Sequence, residues 1–402
     1  MQRILFVDDE AKLLGGLRRM LHGMRDEWQM EFVENGPDAL QRLAQQPFDV
    51  VVSDMRMPGM DGSELLWQVR ERCPGTVRIV LSGQCDRREV LKAVGPAHQF
   101  LTKPCDSSAL KELLARACRL RDRMTAPGPK ELVSRVDAIA VTSESLEALT
   151  GELAASAPRL ERMADIIAAE PGMAVRILQL VNSGFYGSPQ STVDPRQAAR
   201  LLGQERLREL TESSQAFVAP PMTGVLAERA IEIVEHSRAV AAVARRIAEV
   251  ESEDPAIIAN AAWGGLLHDV GVLVFMQQAR DPYADLWATF TGDIPCIIEQ
   301  ENRMFDADHA AVGAYLLALW GLPDSVVTIT ALHHAPSDSD DRQFTALTAV
   351  HAADVLTRTV SPDSPGRQCL LDHGYLDRIG KAERVSAWTA LCQEVLPEGA
   401  AT

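Results

Sequence analysis

A chain of 402 residues with 46 % hydrophobic residues is long enough for two or three domains, each with its own core. Its formal net charge of −16 argues against nucleic acid as a partner, because nucleic-acid binding needs a positive face. The chain has no run of 18 or more apolar residues, and its start, MQRILFVDDE, lacks the form of a secretory signal. We therefore expect no membrane association. The seven cysteines are scattered and form no CxxC pair, so we expect a cytoplasmic protein with reduced thiols.

Residues 1–121 alternate between two kinds of pattern. Short apolar runs predict strands, and amphipathic stretches between them predict helices. Five βα units in series predict an α/β fold with a doubly wound, five-stranded parallel sheet. The predicted strands are 3–7, 31–33, 50–53, 77–81 and 98–101, and the predicted helices are 11–22, 36–45, 62–72, 86–93 and a last one that follows residues 106–108.

The pattern changes after residue 121. Residues 122–131 contain two prolines and a glycine, which predict a hinge or linker. Residues 132–402 have almost entirely helical periodicity, so we expect a second, all-α domain. Its motifs occupy 132–356, and 357–402 is predicted to be a C-terminal helical extension.

Polar residues follow four of the predicted strands. Asp8 and Asp9 follow the first strand, Asp54 the third, Ser82 the fourth and Lys103 the fifth. Because the carboxyl ends of parallel strands meet at one edge of a sheet, these side chains should converge there. Clustered carboxylates repel one another, and Mg²⁺, which prefers oxygen ligands, relieves that repulsion. Lysine and serine donors suit phosphoryl oxygens, so the pattern predicts a phosphoryl-transfer site with Asp54 as the nucleophile.

Four segments in this order, ILFVDDE, VVSDMRMPGMDG, IVLSG and FLTKP, resemble the receiver domain of two-component response regulators. The resemblance covers residues 1–121. It implies that Asp54 takes a phosphoryl group from a histidine kinase. It also implies that Mg²⁺ is held by Asp8, Asp9, Asp54 and the backbone carbonyl of Arg56.

The same resemblance assigns the remaining receiver residues. It implies that Ser82 and Lys103 bind the phosphoryl group, and that Phe100 is the switch aromatic, which turns inward when Ser82 moves. The family most often has threonine where Ser82 stands, and either hydroxyl can donate a hydrogen bond.

The helical part contains histidines and acids in motif positions. Imidazole and carboxylate are suitable ligands for transition metals, so a cluster of them could hold one or two ions that activate water for phosphoester hydrolysis. Taken alone, each buried histidine is more often a hydrogen-bonded core residue than a ligand. His268 and Asp269 are expected to share one helix, and Glu232 to face the same way as His236, one turn later. The candidate ligands are Glu232, His236, His268, Asp269, His309, His333, His334 and Asp354.

This order of histidines and aspartates resembles the HD superfamily of metal-dependent phosphohydrolases, and most closely the HD-related output domain, HDOD. The resemblance rests on ILQLVNSGFYG, QAARLLG, GLLHDVGVLVF, HAAVGAYLLALWGLP and HHAP, within residues 132–356. HDOD domains are generally regarded as signalling modules without catalysis, whereas the sister HD-GYP family hydrolyses cyclic di-GMP. Val272 stands where active HD-GYP proteins carry lysine, and Ala335 stands in a segment without their Gly-Tyr-Pro motif. Both departures count against cyclic dinucleotide hydrolysis, but neither excludes bound Fe, Mn or Zn.

These inferences predict a response regulator whose receiver controls an HDOD output domain. The first hypothesis is a non-catalytic module that acts by contact with a downstream signalling protein. The alternative is an HD-type metal-dependent phosphohydrolase, for example one acting on a cyclic dinucleotide. Receivers often pair, so a homodimer is compatible with the sequence without being required by it.

Overall fold

The structure is a computed structural model that describes residues 1–83, 95–104, 106–123, 127–183, 192–213, 216–218, 224–289, 294–360 and 370–396. The helix predicted at 86–93 and the side chain of Ser82 lie outside this description.

The amino-terminal third is a parallel sheet in the order β2-β1-β3-β4-β5. Every pair of neighbouring strands is parallel, and the apolar runs of β1 and β3 are buried, as expected for a sheet covered on both faces. The predicted α/β fold is therefore confirmed. The strands are β1 (Gln2–Val7), β2 (Trp28–Val33), β3 (Val50–Asp54), β4 (Val77–Gly83) and β5 (Gln99–Lys103).

The helices of this sheet domain begin at polar caps. Asn35 accepts a hydrogen bond from Asp38 N, and Asp61 accepts one from Glu64 N, which satisfies first-turn amides. Gly62 is required where the third helix starts, because a Cβ there would lie 2.0 Å from Asp54 O. The helices are α1 (Ala11–Met20), α2 (Gly36–Gln45), α3 (Gly62–Arg72) and α4 (Ser107–Arg123).

The predicted linker at 122–131 is partly helical, because α5 spans Pro127–Ser134. Proline is tolerated in the first turn of a helix, where its missing N–H would have no partner. The prolines of this segment therefore start a helix rather than prevent one.

The remainder is all α, as predicted. Its helices are α6 (Ser143–Ala154), α7 (Leu160–Ala169), α8 (Pro171–Asn182), α9 (Pro195–Glu212), α10 (Val225–Glu251), α11 (Pro255–Leu267), α12 (Val270–Gln278), α13 (Arg280–Thr289), α14 (Ile294–Phe305), α15 (His309–Leu319), α16 (Asp324–Leu332), α17 (Ala346–Val360), α18 (His373–Arg378) and α19 (Val385–Val395). Helices α18 and α19 lie within 357–402, the stretch for which a C-terminal helical extension is predicted.

One stretch of the described chain, Pro255–Gln278, is long and apolar enough to cross a membrane, with a mean hydropathy of 1.5. Its most apolar window is 72 % buried inside the helical part, which is typical of core helices as well. The stretch is broken between α11 and α12, where His268 and Asp269 lie.

The two parts of the chain are in contact along β5, the edge strand of the sheet. Gln99 Nε2 donates a hydrogen bond to Leu319 O at 2.8 Å, at the end of α15. Gln179 Nε2 of α8 donates to His98 O at 3.0 Å. Gln99, His98 and Gln179 have polar side chains, Leu319 is apolar, and all four residues are buried. The helical part therefore covers a sheet edge that would otherwise expose backbone groups.

A buried arginine strengthens this junction. Arg78 on β4 is fully buried, and its Nη2 donates to Ser134 O at 2.6 Å, at the end of α5. Its Nε donates to Pro96 O at 2.5 Å. Burial lowers the pKa of Arg78 to about 9, with a partly opposing effect of Asp137. The guanidinium thus ties β4 to the segment that links the two parts.

Candidate phosphoryl-acceptor site and metal centre

The carboxyl edge of the sheet brings Asp8, Asp54 and Lys103 together. Lys103 Nζ donates to Asp8 Oδ2 at 2.6 Å and also contacts Asp54 Oδ1. The other oxygen of Asp54 accepts from Arg56 N at 2.9 Å. Asp54 ends β3 and Lys103 ends β5, so the parallel topology is what places these side chains side by side.

Burial sets the electrostatics of this site. It raises the pKa of the Asp54 carboxyl, and the contact with Lys103 only partly opposes that effect. Burial also disfavours the charged lysine, but its bonds to Asp54 and Asp8 outweigh this and raise the pKa of Lys103. The side chain of Asp54 keeps 9 % exposure and that of Lys103 19 %, so an incoming group can still reach the acceptor.

The other predicted receiver residues lie around this centre. Asp9 is exposed and lines a surface pocket together with Arg56 and Asp61. Phe100 is 1 % exposed, so its ring faces inward in this structure. Ser82 lies on β4, beside Thr102 of β5.

Within the described residues, sets of three or more metal-ligating side chains with ligand atoms within 4.8 Å of one another occur in the helical part. The first set is Asp269, His309, His333 and His334. Nε2 of His309 and Nε2 of His333 each lie 3.5 Å from Asp269 Oδ1. Ligand atoms about 2.1 Å from a tetrahedral ion are about 3.4 Å apart, so this spacing fits a bound cation.

The second set is His236, His268 and Asp354. His236 Nε2 lies 2.8 Å from Asp354 Oδ1, and His268 Nε2 lies 3.5 Å from the same oxygen. Asp269 lies between the two sets, because its Oδ2 is 3.2 Å from His268 Nε2 while its Oδ1 faces His309 and His333. The two sets are therefore halves of one buried cluster, with Asp269 as the shared carboxylate.

Three histidines of the cluster have a fixed tautomer. Nδ1 of His268 bonds to Gly265 O at 2.7 Å, and Nδ1 of His333 bonds to Thr330 O at 2.9 Å. Nδ1 of His309 bonds to the Glu301 carboxylate at 2.6 Å. Each acceptor requires a proton on Nδ1, which leaves Nε2 as the atom that faces the cluster. Metal-binding histidines in proteins are commonly oriented by such bonds.

The pKa values of the histidines reflect three buried carboxylates, those of Asp269, Asp354 and Glu301. Burial disfavours the charged form of His268, but Asp269 and Asp354 outweigh it and raise the pKa to about 10. Glu301 and Asp269 likewise overcome burial and raise the pKa of His309 to about 9. The pKa of His236 falls to about 4 through burial and the nearby Arg358. Without a bound cation, the cluster therefore holds protons that a cation must displace.

Unpartnered atoms test whether the residues fit a metal ion. A buried polar atom without a hydrogen bond is costly, and in native proteins it calls for an explanation such as an ion. Five such atoms lie in this cluster and converge on it. They are His268 Nε2, Asp269 Oδ1, His333 Nε2, His334 Nδ1 and Asp354 Oδ2. Nitrogen and carboxylate donors of this kind suit Fe, Mn or Zn, so the residues fit a metal ion.

Two expectations need correction. Glu232 does not join either set, because it pairs with Arg229 and its side chain is 51 % exposed. His268 and Asp269 do not share one helix: α11 ends at Leu267, and Asp269 is the N-cap of α12. The break between the helices turns both side chains into the cluster.

Two residues of the site were missed by the motif search. Glu301 of α14 orients His309 through both its ring and its backbone N–H. Arg358 of α17 donates from Nε to Asp354 Oδ1 at 3.0 Å and from Nη2 to Asp269 Oδ2 at 3.1 Å. Its spacing of four residues from Asp354 was a usable signal, because such residues share one helix face.

A parallel α/β sheet with an acid–lysine centre, followed by helices around a histidine–aspartate cluster, defines a two-domain protein with a receiver fold and an HD-like fold. The family models agree. A response regulator receiver domain matches residues 4–115, and an HDOD domain matches residues 139–336. The chain therefore belongs to the response regulators and combines a receiver domain with an HDOD domain. Asp354 and Arg358 lie beyond the matched HDOD region.

Curated relatives are similar over the length of a receiver. The hydrogenase transcriptional regulatory protein HoxA of Cupriavidus necator is 40 % identical over 103 residues, which are 25 % of this chain and 21 % of HoxA. The response regulator protein PilR of Pseudomonas aeruginosa is 36 % identical over 131 residues, which are 32 % of this chain and 28 % of PilR. The matches thus span between a fifth and a third of these relatives.

Solved structures similar to this chain include a receiver domain and a response regulator. The signal receiver domain of an HD domain-containing protein from Pseudomonas fluorescens is 31 % identical, with 30 % of this chain and 98 % of that chain covered and a TM-score of 0.29. The MmoQ response regulator from Methylococcus capsulatus is 20 % identical, with 63 % of this chain and 98 % of that chain covered and a TM-score of 0.48.

Proposed function

We propose that Asp54 accepts a phosphoryl group from a histidine kinase and that this event controls the helical domain. The contact of Lys103 with both Asp8 and Asp54 carries the proposal, because it brings the acceptor and its charge partner to one sheet edge. A carboxylate oxygen of Asp54 attacks the phosphorus, and the histidine nitrogen of the kinase leaves. Lys103 and Ser82 then bind the phosphoryl oxygens.

Mg²⁺ is the cation that suits this step, and the proposed ligands are Asp8, Asp9, Asp54 and the backbone carbonyl of Arg56. The cation neutralises charge on the transferred group. Since Asp54 is held by Lys103 on one oxygen and by Arg56 N on the other, the acceptor is already oriented before a donor arrives.

The signal has a short physical route to the helical domain. Phosphorylation replaces the single negative charge of the Asp54 carboxylate with the about −1.5 to −2 of a phosphoryl group, and it changes what Lys103 and Ser82 bind. Lys103 is the last residue of β5 and Ser82 is the penultimate residue of β4. Other residues of these strands, Gln99 and Arg78, contact the helical part. Phe100, between Gln99 and Lys103, is the proposed switch residue. Output then follows by contact with a downstream signalling protein in the cytoplasm, with a monomer and a homodimer both compatible.

Labelling tests the acceptor. Purified protein incubated with acetyl phosphate and Mg²⁺ should gain one phosphoryl group that hydroxylamine removes, as expected for an acyl phosphate, and Asp54→Asn should gain none. Asp26→Asn, which alters an exposed receiver acid, is the matched control and should label as wild type does. Equal labelling of wild type and Asp54→Asn would refute Asp54 as the acceptor.

A second function, metal-dependent phosphoester hydrolysis, is favoured by the five unpartnered atoms of the histidine–aspartate cluster. A bound Fe, Mn or Zn ion would lower the pKa of a water ligand and polarise a phosphoester. The chain's own residues would hold the ion through Nε2 atoms fixed by their Nδ1 bonds. Val272 and Ala335 count against cyclic dinucleotides as substrate.

Metal analysis followed by a phosphoester panel separates the two candidate roles of the helical domain. Bound metal that is lost in Asp269→Ala but kept in the exposed-acid control Asp281→Ala would support the metal centre. Turnover that is lost with the same variant would support hydrolysis. Folded wild-type protein that takes up no metal would end this second function and leave a purely protein-binding module.

A further inference from the structure

The arginine inside the histidine–aspartate cluster holds a position that a second cation would need. Arg358 reaches Asp354 Oδ1 and Asp269 Oδ2, the two carboxylate oxygens that face His236 and His268. Its side chain is only 11 % exposed. The guanidinium is thus a buried part of the cluster, and it is permanently charged.

The other side of Asp269 presents ligand atoms that lack hydrogen bonds. Asp269 Oδ1 and His333 Nε2 are both buried without a hydrogen bond, 3.5 Å apart, and His309 Nε2 lies 3.5 Å from the same oxygen. Arg358 therefore gives a cationic partner to one oxygen of Asp354 and one of Asp269, although His268 Nε2 and Asp354 Oδ2 in the same half still lack a hydrogen bond. The half formed by Asp269, His309, His333 and His334 presents the unpartnered atoms Asp269 Oδ1, His333 Nε2 and His334 Nδ1.

We propose, on the basis of the metal centre proposed above, that Arg358 serves as a built-in cation for the half formed by His236, His268 and Asp354. The cluster then takes one divalent transition-metal ion, at Asp269, His309, His333 and His334. Related two-ion sites use the second ion to stabilise the attacking and leaving oxygens of an in-line displacement. A guanidinium supplies charge there, but it cannot bind and activate a water as a metal does.

Charge balance supports one ion. The buried carboxylates of Asp269, Asp354 and Glu301 carry three negative charges, and Arg358 carries one positive charge. One divalent ion brings the summed charge of these four side chains to zero. A second divalent ion beside Arg358 would leave two uncompensated positive charges in a desolvated site, which is strongly unfavourable.

Metal stoichiometry of the full chain tests the proposal. Protein stripped with a chelator, reloaded with excess Mn²⁺ or Zn²⁺ and desalted should hold one ion per chain. Arg358→Met should hold two, because both carboxylate oxygens become available. Arg358→Lys should return to one, and Arg245→Met, which alters an exposed arginine of α10 paired with Glu249, should remain at one.

A second set of variants assigns the ion to one half. His309→Ala should lose the single ion of the wild type, whereas His236→Gln should keep it. In the Arg358→Met background, His236→Gln should lower the stoichiometry from two ions to one. Because Arg358→Met takes up one more ion than the wild type, its melting temperature should rise more on reloading than that of the wild type.

The outcomes separate the two proposals. Two ions in the wild type, or one ion in both the wild type and a folded Arg358→Met, would overturn the role of Arg358 and leave the metal centre intact. An ion lost with His236→Gln rather than with His309→Ala would also overturn it. No ion in wild type or in Arg358→Met would instead overturn the metal centre itself.

Discussion

Glu301, which belongs to no recognised motif, determines the orientation of His309 in the cluster. Its Oε2 accepts from both N and Nδ1 of His309, at 2.9 and 2.6 Å, and its Oε1 accepts from Tyr283 at 2.7 Å. The glutamate is fully buried, so nothing but these partners competes for its oxygens. It therefore fixes which nitrogen of His309 faces the cluster.

We expect Glu301→Gln to weaken metal binding by about 10- to 100-fold, the usual cost of changing a residue that orients a metal ligand. The amide can still accept a hydrogen bond, but it no longer carries the charge that raises the pKa of His309. Competition with a chromophoric chelator measures the affinity. Glu299→Gln, an exposed change on the same helix, should bind metal as the wild type does, and an unchanged affinity for Glu301→Gln would contradict the assignment.

At the scale of elements, the contact between α12 and α15 holds the shared carboxylate near its partners. A Cβ on Gly271 would lie 1.9 Å from His309 O and 2.8 Å from Gly313 N. Only glycine allows this approach, because the opposing atoms are backbone and cannot turn away. Asp269 begins α12 and His309 begins α15, so the spacing of the two helices sets the Asp269–His309 distance.

Gly271→Ala should reduce the free energy of unfolding by about 1–3 kcal/mol, because overpacking forces the two helices apart. It should also lower metal content, since His309 moves away from Asp269. Gly151→Ala provides the control, because that exposed helical glycine has nothing within 4 Å of the added Cβ. The control should gain up to about 1 kcal/mol from helix propensity. Chemical denaturation measures both; equal stability of the two variants would refute the close-packing argument.

Periodicity and strand-end chemistry predicted the parallel sheet and the convergence of Asp8, Asp54 and Lys103, because these follow from local pattern and topology. The helix at Pro127–Ser134 was not predicted, since prolines indicate a loop unless they fall in a first turn. Glu301 was not predicted either, because its partner lies on another helix and periodicity does not report helix pairing. Glu232 was placed on the correct helix, but its pairing with Arg229 is a side-chain choice that spacing leaves open.

On the scale of the whole molecule, His98 lies where the two domains meet. Arg78 donates from its backbone N to His98 Nδ1 at 3.1 Å, and its Nη2 lies 2.8 Å from His98 Nε2. A neutral imidazole can accept the hydrogen bond from Arg78 N at Nδ1, whereas an imidazolium has no acceptor nitrogen. Burial, together with the neighbouring Arg78, therefore holds the pKa of His98 well below its ordinary value.

The free energy of unfolding should therefore decrease at acidic pH because of His98. Below about pH 6.5 the unfolded chain binds a proton on His98, whereas the folded chain does not. The free energy of unfolding therefore falls as the pH decreases. The loss approaches about 1.4 kcal/mol per pH unit for one such group. Between pH 7 and pH 5, wild type should therefore lose about 2 kcal/mol more than His98→Asn. Urea unfolding at both pH values measures the difference, and parallel losses would show that His98 protonates in the folded state.

The bond from Arg78 to Ser134 O bears on how this molecule can be divided in the laboratory. A receiver fragment that stops at residue 121 leaves a guanidinium in the interior without one of its carbonyl acceptors and uncovers Gln99 as well. A receiver fragment that keeps the Ser134 acceptor would extend through α5 and include the Asp137 carboxylate, which pairs with Arg70 at 2.9 Å. Truncations designed on the family boundaries would remove these contacts from the receiver. Poor solubility of such a fragment would then result from the truncation and would not describe the intact protein.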